Sequence, residues 1–188
     1  MGIAVTVVIS MLRGVNVGGH NQIKMEALRA LYESLGLLNV QTYIQSGNVV
    51  FRTKRPDLAL LARRIETGIE QSFGFRPVVM VRTSGEMRDV IASNPFRTRT
   101  GIDPRKLLVT FLSGDPGADA RDKVLKIKVD PEELRIIGRE VYVHYPNGMG
   151  RTKLPAALIE KTLRTPGTGR NLNTVTKLLE IAERLEGQ

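Results

Sequence analysis

Apolar and polar positions along this 188-residue chain follow two different periods. Ala4–Leu12 is an unbroken run rich in β-branched and other apolar residues and predicts a buried strand. From Lys24 to Leu35 the residues Met25, Leu28, Leu31, Tyr32 and Leu35 recur at helical spacing, and Gly36 ends the helix. Val40–Ile44 and Val49–Arg52 read as strands joined by the hairpin connection "QSGN". Asp57–Phe73 returns to the helical period, with Leu58, Leu61, Ile65 and Ile69 facing inward, and Pro77–Val81 is another strand. The order is βαββαβ, the ferredoxin-like plan.

"TSGE" at Thr83–Glu86 is a capping box and predicts a short helix ending near Asn94–Pro95. "NPFRTRTGIDPRK" reads as a linker. The pattern then resumes. Leu107–Leu112 is a strand, Asp119–Ile127 a helix, and Leu134–Ile137 with Glu140–Tyr145 a hairpin across "GR". Leu154–Leu163 is a helix, and Thr174–Leu185 is a last one with Val175, Leu178, Leu179, Ala182 and Leu185 on one face. The second half therefore predicts βαββα plus a helix. The expected fold class is α+β: two ferredoxin-like (α/β plait) subdomains, antiparallel sheets with helices on one face. Residues 1–83 form the first subdomain, 84–105 a helix and linker, and 106–188 the second subdomain with the C-terminal helix.

Connectivity places the candidate chemistry. A crossover helix joins the first two strands, so they run in the same direction and exit at the same end. One exits into "RGVNVGGHN" and the other into "QSGN". Arg13, Asn16, Gly18, Gly19, His20, Gln45, Ser46 and Asn48 are therefore expected around one mouth. Glycines there let backbone N–H groups approach a ligand, the following helix adds its positive dipole end, and Arg13 offers a fork to phosphate or carboxylate. The loop is no known nucleotide signature. Gly14 and Gly19 have P-loop spacing, but His20 and Asn21 stand where Lys and Ser/Thr belong. The plainer alternative is a tight turn that asparagines cap.

Two further glycine-rich segments follow in the second half. "NGMGRTK" carries Arg151 and Lys153, and "TGTGRNLNTVTK" carries Arg170, Asn171, Asn173 and Lys177. With a helix beginning near Asn173, Lys177 would sit in its first turn, against the dipole. A bound anion would remove that conflict, and so would a side chain that snorkels away. Between Asn147 and Lys177 there are six basic residues and one acid, Glu160.

The motifs "MLRGVNVGGHN", "TYIQSGNVVF", "GRTKLPAALIEK" and "GRNLNTVTKLLE" make the chain similar to a bacterial family known as a domain of unknown function, DUF1697. The resemblance runs from about Met11 to Leu185. It implies two α/β-plait subdomains and no particular activity. Leu172 stands where relatives carry an aromatic, so the resemblance implies no stacking there.

Charge and composition narrow the function classes. The net charge is +9, shared by both halves, which attracts anions, nucleic acid among them, and equally suits a solvated surface. With no cysteine, a disulfide framework, a thiolate nucleophile and a cysteine-held zinc are all excluded. No stretch approaches the roughly 20 apolar residues of a membrane helix, so no membrane partner is expected and a cytoplasmic location is. The start "MGIAVT" fits a myristoylation pattern, yet the same residues serve as strand, and Ile3–Leu12 lacks the basic flank of a signal peptide.

His20 and His144 fall in different halves without ligand partners at zinc spacing, and no G-x-S-x-G elbow is present. Ser46 has only His20 as a nearby base. Asp119 and Asp122 read as a solvated helix flank, and no cofactor is named, although phosphates with one or two carboxylates could hold magnesium. Phe51 is the lone aromatic of its strand, which argues against base stacking of the RNA-recognition kind. The expected function is binding of a phosphate-bearing ligand, a nucleotide or nucleic acid, through the Gly/Asn/Arg-rich loops. One alternative is an enzyme on a small anionic substrate at the interdomain cleft, with Arg13 and Lys153 as clamps and His20 or Ser46 in proton transfer. The other is that the motifs bind nothing and hold the fold.

Overall fold

β1 (Thr6–Leu12) is buried from Val7 to Leu12, on both its faces, and Ser10 is its one buried polar side chain. A computed structural model describes residues 5–54 and 57–188; Ala4, at the start of the first predicted strand, and the myristoylation pattern at Gly2 lie outside them. After β1 come α1 (Met25–Ser34), the hairpin β2 (Leu38–Tyr43) and β3 (Asn48–Thr53), α2 (Leu58–Phe73) and β4 (Val79–Thr83). The strand order β2-β3-β1-β4, antiparallel at every pairing, is that of the ferredoxin-like plan.

Local chemistry fixes the ends of these helices. Asp57 caps α2 by accepting the Leu60 N–H at 2.9 Å, and Gly74, at φ 79°, closes its other end. Gly36, at φ 78°, follows α1 in the same left-handed conformation. Val8, Leu12, Val49 and Phe51 face the helices, where Leu28, Tyr32, Leu61, Ile65 and Ile69 close over them. Each such fully buried side chain contributes about 1.5–3 kcal/mol relative to exposure. The Tyr32 hydroxyl meets Ser10 Oγ at 2.8 Å, and burial pushes its pKa up, so it stays a neutral hydrogen-bonding group. On the opposite face Ile9, Met11, Met80 and Arg82 are buried too.

α3 (Ser84–Ala92) starts at the expected capping box. The Thr83 N–H donates to Glu86 Oε2 at 2.8 Å, and the Glu86 N–H donates to Thr83 Oγ1 at 3.1 Å. The chain then repeats its plan: β5 (Leu107–Leu112), α4 (Ala118–Leu125), β6 (Glu133–Ile137), β7 (Glu140–His144), α5 (Ala156–Leu163), β8 (Gly167–Asn171) and α6 (Leu172–Glu186). The second sheet has the order β6-β7-β5-β8. Its helix-facing core gathers Leu112, Val124, Leu134, Val141, Val143, Ile159 and Leu163.

β8 corrects the sequence reading, which had a loop over these residues. "GTGRN" has poor strand propensity, yet it pairs with β5 from Gly167 opposite Leu112 to Asn171 opposite Leu108. The glycines belong there because the neighbouring strand's side chains lean over them. A Cβ on Gly167 would lie 2.7 Å from Thr110 Cγ2, and one on Gly169 would lie 3.0 Å from Leu108 Cδ2. The second half is thus a complete βαββαβ repeat followed by a helix.

The chain divides into two units, residues 1–88 with 177–188, and residues 89–176. The last turns of α6 belong to the first unit, where Arg88 holds Glu183 at 3.0 Å and also pairs with Glu186.

Candidate functional site

In the first unit the two polar loops do meet at one end of the sheet. The Leu12 N–H donates to Gly47 O at 3.0 Å, and Asn16 Nδ2 donates to Gln45 O at 2.7 Å. Asn16 also brackets the approach to α1: its Oδ1 accepts the Ile23 N–H at 2.8 Å, and its Nδ2 donates to Ile23 O at 3.0 Å. Asn21 Nδ2 reaches back to Gly14 O at 3.2 Å. Both asparagines take left-handed backbones, at φ 57° and 49°, which asparagine tolerates better than most side chains.

The remaining members of the predicted mouth sort by exposure. Asn48 is fully buried; its Nδ2 donates to Tyr43 O at 3.1 Å and to Ser46 Oγ at 2.8 Å, so both residues serve the hairpin. Arg13, Gly18, Gly19, His20 and Gln45 are exposed. Gly18 and Gly19 have φ of 59° and 80°, and a Cβ on either would meet no atom within 4 Å. The first turn of α1 receives no side-chain cap from Lys24. The loop therefore presents an arginine, a histidine and two uncovered glycines on a backbone that Asn16 and Asn21 hold in place.

The basic segment of the second unit is arranged differently from the prediction. Arg151 ends a single 3-10 turn at Met149–Arg151, Lys153 follows it, and both are exposed. α5 begins only at Ala156, so these cations do not stand at its first residues. Arg170 is 8% exposed inside β8, where its Nη1 donates to Thr168 Oγ1 at 2.7 Å and to Gly169 O at 2.9 Å. Burial pushes its pKa down to about 10, and it remains charged at neutral pH. Asn171 Oδ1 accepts the Thr174 N–H at 2.9 Å and caps α6 itself. Asn173 is exposed in the first turn. Lys177, in the first unit, lies beyond that turn and pairs with Glu180 at 2.9 Å. The expected clash between Lys177 and the helix dipole is absent, because the helix starts earlier than the glycine-rich sequence suggested.

Arg82 is the residue the sequence did not single out. It occupies in β4 the place Arg170 holds in β8: next to last in the fourth strand and before the residue that caps the following helix. It is 2% exposed, and its Nη1 donates to Val81 O at 2.9 Å, as Arg170 does to Gly169 O. The shared "R-T/N" before a helix was its only signal in the sequence.

His144 is buried in β7 of the second unit, tilted against the Phe96 ring. Its Nδ1 stands 4.0 Å from Glu133 Oε1, which Arg99 holds at 2.6 Å. Burial lowers the imidazole pKa, and Arg99 and Lys106 lower it further against the opposing pull of Glu133. The folded chain therefore favours the neutral ring. Its contribution to stability is present above the unfolded value of about 6.5 and is lost as pH falls below it. Denaturant titrations at pH 7.5 and 5.5 are expected to show lower stability at 5.5. His144→Gln should flatten that difference.

Among the described residues no group of three His, Cys, Asp or Glu side chains is placed to hold a metal ion. Asp119 is exposed and paired with Lys123 at 2.7 Å.

A family model described as "Protein of unknown function (DUF1697)" matches residues 5–142. The conserved bacterial protein SP0830 from Streptococcus pneumoniae has a similar solved structure, with a TM-score of 0.70 and 24% sequence identity. That match covers 95% of this chain and 99% of the other. No curated protein matches the chain.

Proposed function

The chain belongs to the DUF1697 family of proteins of unknown function, and from that premise we propose that it is a binding protein for a phosphate-bearing ligand, received by the loop between β1 and α1. The observation that carries this reading is the division of labour in the loop. Asn16 and Asn21 turn inward to hold the backbone, while Arg13, His20 and the uncovered glycines 18 and 19 face solvent. A loop held this way loses little freedom on binding. Arg13 can fork onto two phosphate oxygens, and Gly18 and Gly19 allow a ligand to approach their N–H groups closely. His20 and Gln45 add donors at the rim. The net charge of +9, with Arg151 and Lys153 exposed in the second unit, draws anions toward the protein over longer range.

The geometry favours binding over catalysis. The Ser46 hydroxyl accepts from Asn48, and the polar side chains beside it hold backbone groups. Arg170 and Asn171 act within β8 and at the start of α6, so they leave the set of proposed ligand contacts.

A thermal-shift series with nucleotides, inorganic triphosphate and short RNA and DNA, at low and high salt, tests the reading. A ligand at a hundredfold excess over its Kd stabilises by about 2.7 kcal/mol, or roughly 5–10 °C for a chain this long. Arg13→Ala should abolish the shift. A shift that survives Arg13→Ala and His20→Ala together would contradict the proposal. Loss of a polymer's shift in high salt, with a small ligand's shift retained, would separate diffuse charge from a shaped site.

A further inference from the structure

Gly68 of α2 lets α1 pack close, since a Cβ there would stand 3.3 Å from Leu31 Cδ1. The two helices leave a groove of about 400 Å³, lined by Leu35, Leu60, Arg63, Arg64 and other α2 residues. A second hollow of about 200 Å³ continues from it, shares Leu35 and Arg64, and adds Leu38 and Lys54. Leu60 and Leu38 are 45% and 43% exposed, leucines left open beside an apolar floor. Among the described residues, no lining side chain is acidic. Four carboxylates of these helices and their caps are engaged elsewhere. Asp57 caps α2, Glu33 holds Arg29 at 2.9 Å, and Glu66 and Glu70 hold Arg76 at 3.3 and 2.9 Å.

We propose that this groove docks an acidic amphipathic helix of a partner protein. Residues 60, 64, 67, 68 and 71 form one stripe of α2, roughly 16 Å along its axis, which matches three turns of an incoming helix. Apolar side chains at i, i+3 or i+4, and i+7 of that helix meet Leu60, Leu35 and Leu38, and carboxylates beside them face Arg63 and Lys54. Charge decides against a second copy of this chain. A two-fold contact would set Lys54, Arg63 and Arg64 against themselves in a molecule already at +9.

The test is selection of displayed 16-residue peptides on the intact protein. The enriched sequences are expected to carry apolar residues at helical spacing and an excess of Asp and Glu. A synthetic peptide from that set should bind at least roughly tenfold more weakly to Leu60→Glu and to Arg63→Glu, exposed substitutions that thermal unfolding should show to be folded. Its Lys-for-Glu version should not bind. Enriched peptides without acidic bias, or equal binding to Leu60→Glu, would overturn the proposal. So would a dimer of the unmodified chain that Leu60→Glu dissolves, because that would give the groove to a second copy. Arg13→Ala should leave peptide binding intact, so this docking surface and the loop reading stand or fall separately.

Discussion

Gly47→Ala is expected to destabilise the protein by about 3 kcal/mol. Gly47 closes the β2–β3 hairpin at φ +73°, a left-handed backbone that costs a side chain about 1–2 kcal/mol. Its Cβ would also lie 2.8 Å from Leu12 Cβ, at the buried end of the central strand, and overpacking of that kind costs about 1–3 kcal/mol. The neighbour cannot step aside, because the Leu12 N–H is bonded to Gly47 O at 3.0 Å. Gly18→Ala is the matched control. It has φ +59° with nothing within 4 Å, so only the backbone cost of about 1 kcal/mol applies. Urea unfolding of both variants should separate them clearly. Equal losses would show that the loops do not meet as described.

Asn16→Ala is expected to cost about 3 kcal/mol as well, by a different route. The side chain makes bonds of 3.0 and 2.7 Å to the Ile23 and Gln45 carbonyls and accepts the Ile23 N–H at 2.8 Å. Removing it strands an N–H and two carbonyls, about 2 kcal/mol together, and alanine at φ 57° adds about 1 kcal/mol. Asn16→Gly keeps the backbone conformation without strain and should recover only that last part. In both variants the β1–α1 loop loses its tie to the hairpin, so the proposed phosphate binding should weaken although Arg13 is untouched. Full binding by a destabilised Asn16→Ala would detach the loop's order from its function.

Much of the fold was legible because its strongest signals are local and periodic. The helical spacing of Leu28, Tyr32, Leu61, Ile65 and Ile69 fixed the two helices of the first unit, and connectivity alone brought the loop after β1 to the hairpin. β8 was hidden for a physical reason. Gly167 and Gly169 read as turn residues, whereas here they make room for Thr110 and Leu108 on the neighbouring strand, a tertiary requirement no window of sequence displays. α6 starts at Leu172, one residue ahead of the expected Asn173, which leaves Lys177 past the first turn and paired with Glu180.

The meeting of the two loops was legible by place, the roles of their side chains less so. Asparagine in a glycine-rich loop suits a ligand or a turn equally well, and only the bonds of Asn16, Asn21 and Asn48 to backbone decide it. Arg170 looked like part of a basic surface because its neighbours in sequence are basic, yet strand alternation puts it beside Thr168 in the buried face. Arg82 escaped notice because it stands alone among apolar residues, and the repeat that pairs it with Arg170 emerges only once both fourth strands are seen.

The most direct measurement is an amide NMR titration of the 188-residue chain with inorganic triphosphate at moderate salt. Saturable shifts centred on Gly18, Gly19 and His20, together with the Arg13 side-chain Nε–H, and lost in Arg13→Ala, are the predicted result. Saturable shifts elsewhere with these amides unmoved, or no saturation at any position, would contradict a phosphate site in the β1–α1 loop.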